Sequence, residues 1–159
     1  MTTRKIESYV DFWPYYLREH ANPTARALHY FGTSLAIIAF IGLMFSGRHW
    51  WALAPFPIGF GLGWLVTRFW HGLKAHDAGF ILCALFFCFE AAVLRDVTLI
   101  LPIVAGYGPA WVAHFFIEKN RPATFTYPAW SIFSDFRMTA LWLGGRLPDH
   151  LDRAGPGHH

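Results

Sequence analysis

The sequence predicts an all-α integral membrane protein with about four transmembrane helices and an amphipathic interfacial helix at each end. Three observations carry this. Of the 159 residues, 55% are hydrophobic and 19% aromatic, while only 14% carry charge. Soluble domains carry about a quarter charged residues, so this chain lacks the polar surface to coat a globule in water. Four apolar runs approach the roughly 20 residues that a bilayer crossing takes. The formal charge is +3 and the pI about 9.1, and the basic residues sit beside those runs. That placement fits cytoplasmic loops and anionic headgroups and excludes nucleic acid as the natural partner. The length suits one membrane domain over residues 1–159.

Residues 1–21 read as the first interfacial helix. Ser8 and Asp11 resemble a capping box, and Tyr9, Phe12, Trp13, Tyr16 and Leu17 repeat at helical spacing, a stripe expected to lie against lipid. His20 returns to the same face, Asn22 can cap the next helix and Pro23 can open its first turn. The first span, 27–47, has His29 as its one ionisable group, and the second, 50–67, has no charge before its end. The third, 78–94, is short and contains Glu90. The fourth, 97–117, is interrupted by Pro102, Gly106, Gly108 and Pro109 and contains His114. Between them Arg95 is expected to pair with Glu90 or Asp96. Residues 128–145 form the second interfacial helix, with Trp130, Phe133, Met138, Leu141 and Trp142 on its apolar face and Gly144-Gly145 at its end. Cys83 and Cys88 point to different helix faces and read as inert thiols. No cleavable signal peptide and no internal repeat is visible, and His158 and His159 are set aside as a possible tag remnant.

Charge orients the spans. Four crossings put both termini on one side with the loop between spans two and three. That side collects Arg4, Lys5, Arg18, Arg26, Arg68, Lys74, Lys119, Arg121, Arg137, Arg146 and Arg153, and the other keeps Arg48 and Arg95, so the 13 basic residues divide eleven to two. The positive-inside rule then makes both termini cytoplasmic. Trp50, Trp51, Trp64, Trp70 and Trp111 fall near the boundaries, as an aromatic belt would.

Nine histidines is a high count. On this topology His20, His29, His71, His76 and His114, with Glu118, all reach the cytoplasmic boundary. His114 and Glu118, four apart, share a helix face. The turn at Asn22-Pro23 lets two helices present His20 and His29 to one point. For His71 and His76 a headgroup-facing role is favoured. His29 and His114 lie within apolar runs, where function is the default reading. Glu118 reads either as a site residue or as half of an ion pair with Lys119 or Arg121. Histidines plus a carboxylate suit non-haem Fe(II) and dioxygen, and zinc fits the same set.

Two stretches carry a family resemblance. His20-Ala21-Asn22-Pro23 with Leu28-His29-Tyr30-Phe31-Gly32 resembles the first motif of the membrane 2-hydroxy fatty acid dioxygenases. Residues 110–123, from Ala110-Trp111-Val112-Ala113-His114 through Glu118-Lys119-Asn120-Arg121, resemble the second. Phe125-Thr126-Tyr127-Pro128 and Ser134-Asp135 are similar to bacterial members.

The resemblance implies Fe(II)-dependent α-oxidation, in which a long-chain 2-hydroxy fatty acid reacts with dioxygen and emerges one carbon shorter. It implies His20, His29 and His114 as metal ligands and Glu118 as a fourth ligand or an outer partner. The expected catalytic residues are Glu118 and Arg121. Lys119, Arg121 and Asn22 are the expected substrate-binding residues, with Asn22 better placed as a helix cap. The host would be a bacterial inner membrane, or the endoplasmic reticulum in a eukaryote. A homodimer is plausible on the small surface that four spans bury. A zinc hydrolase on the same scaffold and a non-catalytic lipid-binding protein are the competing readings.

Overall fold

The computed structural model describes residues 6–69 and 72–156, and every regular element among them is helical. In chain order these are α1 (Tyr9–Glu19), α2 (Pro23–Phe45), α3 (His49–Leu53), α4 (Pro55–Phe69), α5 (Ala75–Leu94), a 3-10 turn (Val97–Ile100) and α6 (Leu101–Val112). A π turn (Ala113–Glu118), a second 3-10 turn (Ala123–Phe125), α7 (Pro128–Leu143) and α8 (Leu147–Ala154) follow. Four helical stretches are long and apolar enough to cross a membrane: Pro23–Phe45, His49–Phe69, Ala75–Leu94 and Val97–Glu118. Their outward side chains include Ile38, Leu62, Leu85 and Val104, all exposed, as a lipid-facing surface requires.

The boundaries move for local reasons. α2 starts at residue 23 rather than 27 because Asn22 caps it: its Oδ1 accepts the N–H groups of Thr24 (2.8 Å) and Ala25 (3.4 Å). The second span is interrupted at Ala54, before Pro55, whose missing N–H breaks the ladder. The fourth opens as a 3-10 turn because Asp96 Oδ1 accepts the Thr98 N–H at 3.1 Å and its hydroxyl at 2.5 Å. Asp96 also pairs with Arg48. The expected Arg95 partnership is therefore replaced, since Arg95 takes a left-handed conformation that ends α5 and leaves its side chain exposed.

The chain divides at Phe31/Gly32 and at Gly108/Pro109 into two compact units. The terminal unit holds α1, the start of α2, the π turn, α7 and α8. Its core joins Phe12, Trp13, Tyr16 and Leu17 of α1 to Tyr30, Tyr127, Met138 and Leu147. The aromatic stripe expected to face lipid is thus covered by protein, a correction with a clear cause. α8, which the sequence reading stopped short of, supplies Leu147 to that core, and the Ala154 carbonyl accepts a hydrogen bond from Arg18 at 3.1 Å. Burying each of these large side chains stabilises the unit by roughly 1.5–3 kcal/mol. On α7, Met138 is buried while Phe133 and Trp142 stay exposed, and Trp142 stacks on Tyr30 with ring centroids 4.6 Å apart.

In the other unit α4 and α5 meet through small residues. A Cβ at Gly63 would lie 2.5 Å from the Gly79 nitrogen, and one at Gly59 would lie 2.6 Å from the Cys83 nitrogen. Such close backbone approach is how apolar spans gain packing energy where lipid competes equally for apolar side chains. Gly63→Ala should lower stability by about 1–3 kcal/mol, as overpacked cores do. Gly61→Ala, with nothing within 4 Å of its Cβ, should leave the thermal midpoint in detergent unchanged. Equal midpoints for the two variants would rule this packing out. Cys83 donates its S–H to the Pro55 carbonyl at 3.1 Å, in keeping with an inert thiol.

Candidate metal centre

Three helix ends of the terminal unit bring three imidazoles together. α1 stops at His20, whose backbone (φ −113, ψ 43) leaves the helix. The chain turns at Asn22-Pro23, and His29 follows in the second turn of α2. His114 sits on the π turn, where the widened backbone ends at Lys119 in a left-handed conformation (φ 53) and the Asn120 N–H returns to the His114 carbonyl at 3.0 Å. π turns of this kind occur often at functional sites. The ring centroids lie 4.4 Å (His20–His29), 4.9 Å (His20–His114) and 5.1 Å (His29–His114) apart, each pair nearly perpendicular. One ring nitrogen from each residue lies within 4.8 Å of the others, and all three histidines are buried.

The outer nitrogen of every ring is anchored. His20 donates Nδ1–H to the Tyr16 carbonyl at 2.7 Å, and His29 donates Nδ1–H to Asp135 Oδ1 at 2.7 Å. A carbonyl and a carboxylate can only accept, so both tautomers are fixed. His114 Nδ1 meets Asn120 Oδ1 at 2.7 Å. That amide is oriented by its other end: Asn120 Nδ2 donates to the Glu19 carbonyl (3.1 Å), Glu19 Oε2 (3.1 Å) and Glu118 Oε2 (3.4 Å). Three acceptors around Nδ2 leave Oδ1 facing His114, which must then donate as well. In the neutral form that binds a metal, each ring therefore keeps its lone pair on Nε2.

Tyr16 ties the anchors together. Its ring stacks on His20 with centroids 4.1 Å apart, and its hydroxyl donates to Asp135 Oδ1 at 2.5 Å. Burial and the adjacent Asp135 carboxylate push this hydroxyl well above its ordinary pKa of 10.0, so it stays a donor.

Glu118 lies near the outer side of His114. Its carboxylate accepts the Asn22 N–H at 3.4 Å and is 3.9 Å from His114 Nδ1. Its side chain is only 3% exposed although the backbone around it is open. It is not part of the three-residue cluster whose ligand atoms converge. Lys119 and Arg121 are exposed beside the π turn, with the Arg121 guanidinium 5.5 Å from the Phe125 ring centroid. His76 stands in the first turn of α5, in the other unit, 3.6 Å from Asp77. His71 lies outside the described residues. Asp135, Asn120 and Tyr16 were given no role by sequence reasoning. Asp135 had a signal, as the one acidic residue in the apolar α7.

Burial, then the neighbouring His29 and His114, hold the His20 imidazole well below its ordinary pKa of 6.5, so it stays neutral. The sign follows from linkage: below about pH 6.5 the unfolded chain binds a proton at His20 that the folded chain does not. Metal-free protein should hold a constant thermal midpoint above that pH and lose stability as pH falls toward 5. His20→Gln should flatten the loss. An unchanged midpoint between pH 7.5 and 5 for the parent chain would contradict a buried neutral His20.

The chemistry of the cluster fits a divalent cation. His20 Nε2 and His29 Nε2 are buried with no hydrogen-bond partner among the described residues, and an unsatisfied buried acceptor costs about 1–3 kcal/mol. Neutral, converging imidazole nitrogens are what iron, zinc or copper requires, and anchored Nδ1–H groups are the usual support of metal-bound histidine. A family model described as 2-hydroxy-palmitic acid dioxygenase Mpo1-like matches residues 6–74 and 67–147. The chain belongs to the Mpo1-like family. His20, His29 and His114, with Tyr16, Asn120 and Asp135, all fall within the matched Mpo1-like segments. No curated protein and no solved structure matches the chain.

Proposed function

We propose that this Mpo1-like protein is an Fe(II)-dependent dioxygenase that α-oxidises 2-hydroxy fatty acids to acids one carbon shorter. The convergence of three buried, anchored imidazoles supports this reading most, and the family description supplies the substrate class. The stoichiometry balances with one dioxygen: the 2-hydroxy acid and O2 give the shorter acid, carbon dioxide and water. His20, His29 and His114 would hold the ion. When bound, iron supplies dioxygen activation and positions for the substrate oxygens that three protein ligands leave open.

The chain's own residues do the rest. Tyr16, Asp135 and Asn120 keep the three rings in one tautomer and orientation. Glu118 holds the Asn22 N–H and the Asn120 amide, joining the α1–α2 turn to the π turn. Lys119 and Arg121 present positive charge where a fatty acid carboxylate would arrive, and Arg121 can also fork two oxygens. His29 lies near the start of one candidate span and His114 near the end of another, which supports a site at headgroup depth. A long-chain acid in the bilayer offers its carboxylate and 2-hydroxyl at that depth, and the excess of positive charge on this side supports a cytoplasmic orientation.

The test is oxygen uptake by iron-loaded protein in detergent. With 2-hydroxypalmitate the expected result is one dioxygen per acid and a C15 acid as product, with palmitate inert. Oxygen-independent hydrolysis of an ester or amide by the zinc-loaded protein, with no oxygen uptake by the iron form, would replace the proposal with a hydrolase.

A further inference from the structure

The three imidazoles are anchored by partners of different charge. His20 bonds to a backbone carbonyl and His114 to an amide oxygen, while His29 bonds to a carboxylate. That same carboxylate oxygen, Asp135 Oδ1, also accepts the Tyr16 hydroxyl at 2.5 Å. We infer that Asp135 and Tyr16 are a paired set of positioning residues that tune the metal held by His29, Asp135 raising its electron donation and Tyr16 restraining it. This rests on the metal-binding reading above.

The physical argument is one of shared charge. A carboxylate accepting Nδ1–H gives the imidazole partial anionic character, which strengthens its Nε2 as a donor and favours the more highly charged metal state. Each hydrogen bond given to Oδ1 spends part of the oxygen's charge. The Tyr16 hydroxyl therefore competes with His29 Nδ1–H for one atom, and its removal should return that charge to His29. Tyr16 is well placed for the part: it is 1% exposed, and its own carbonyl holds His20. One residue thus supports His20 directly and reaches His29 through Asp135. Asp135 is 24% exposed in its side chain and its neighbours are already set, so an amide can replace the carboxylate without a change of shape.

The experiment uses the full chain in detergent and reads divalent-ion affinity by Co(II) titration, with the Fe(III)/Fe(II) potential followed separately. Asp135→Asn should weaken Co(II) binding by roughly 10–100-fold and raise the potential, the usual scale for losing an outer partner of a metal-bound histidine. Tyr16→Phe should tighten Co(II) binding and lower the potential. Shifts of opposite sign in the two variants are the signature of tuning. Shifts of the same sign would mean that both residues merely support the fold, and would overturn the inference, as would Asp135→Asn with parent affinity and potential. Parent protein that binds no Co(II) or iron would instead overturn the metal-binding reading itself.

Discussion

Alanine at His114 should leave a folded protein that turns over no 2-hydroxypalmitate. The residue is 4% exposed and supplies one of three converging nitrogens, and two imidazoles hold a divalent ion more weakly than three. Loss of a mere outer partner already costs about 10–100-fold in metal affinity or activity, so loss of a ligand should exceed that range. His20→Ala and His29→Ala should behave alike. His76→Ala and His49→Ala, at positions in the other unit, should keep parent activity. Oxygen uptake with each purified variant, beside its thermal midpoint, separates loss of the site from loss of the fold. Activity in His114→Ala within a factor of a few of the parent would end the case for this centre.

The second large effect is expected at Asn120. Its Nδ2 donates to the Glu19 carbonyl, Glu19 Oε2 and Glu118 Oε2, while its Oδ1 receives His114. Asn120→Asp changes one atom and reverses the electrostatics. The donor becomes a third acidic oxygen about the same two carboxylates, and three acceptors lose their partner. Unsatisfied buried polar groups cost about 1–3 kcal/mol, and repulsion among the carboxylates adds to it. The variant should unfold at lower temperature than the parent and lose bound metal, because a carboxylate pushed away by Glu19 and Glu118 no longer holds His114 in place. Thermal unfolding and metal content on the same samples check it. An Asn120→Asp protein with the parent's midpoint would show that the amide does not organise the site.

Much of the architecture was legible because bilayer crossings depend on coarse features. Apolar runs of span length located four helices, and specific groups account for some of the helix boundaries that moved, as Asn22 does for α2 and Pro55 does for the second span. The histidines were legible by placement. His29 and His114 stood out inside apolar runs, and the turn at Asn22-Pro23 allowed His20 to face them. Their supports were harder to see. The Tyr16 partner of His20 is a backbone carbonyl, which no side-chain pattern reveals. Asp135 lies 106 positions from His29, and only packing of α7 brings them together. The α1 stripe misled for a related reason. Phe12, Trp13, Tyr16 and Leu17 have the same spacing whether lipid or protein covers them, and the cover came from α7 and the unforeseen α8. Leu147, Leu151 and Ala154, spaced four and three apart after Gly145, were the available sign of that helix.

The measurement that bears most directly on the centre is metal stoichiometry by plasma mass spectrometry. It should use protein lacking His158 and His159, loaded anaerobically with Fe(II) and freed of excess ion. One iron per chain in the parent, and none in His20→Ala, His29→Ala or His114→Ala, is the predicted result. A parent chain that retains no metal, or alanine variants that retain as much as the parent, would contradict a metal site built from these three imidazoles.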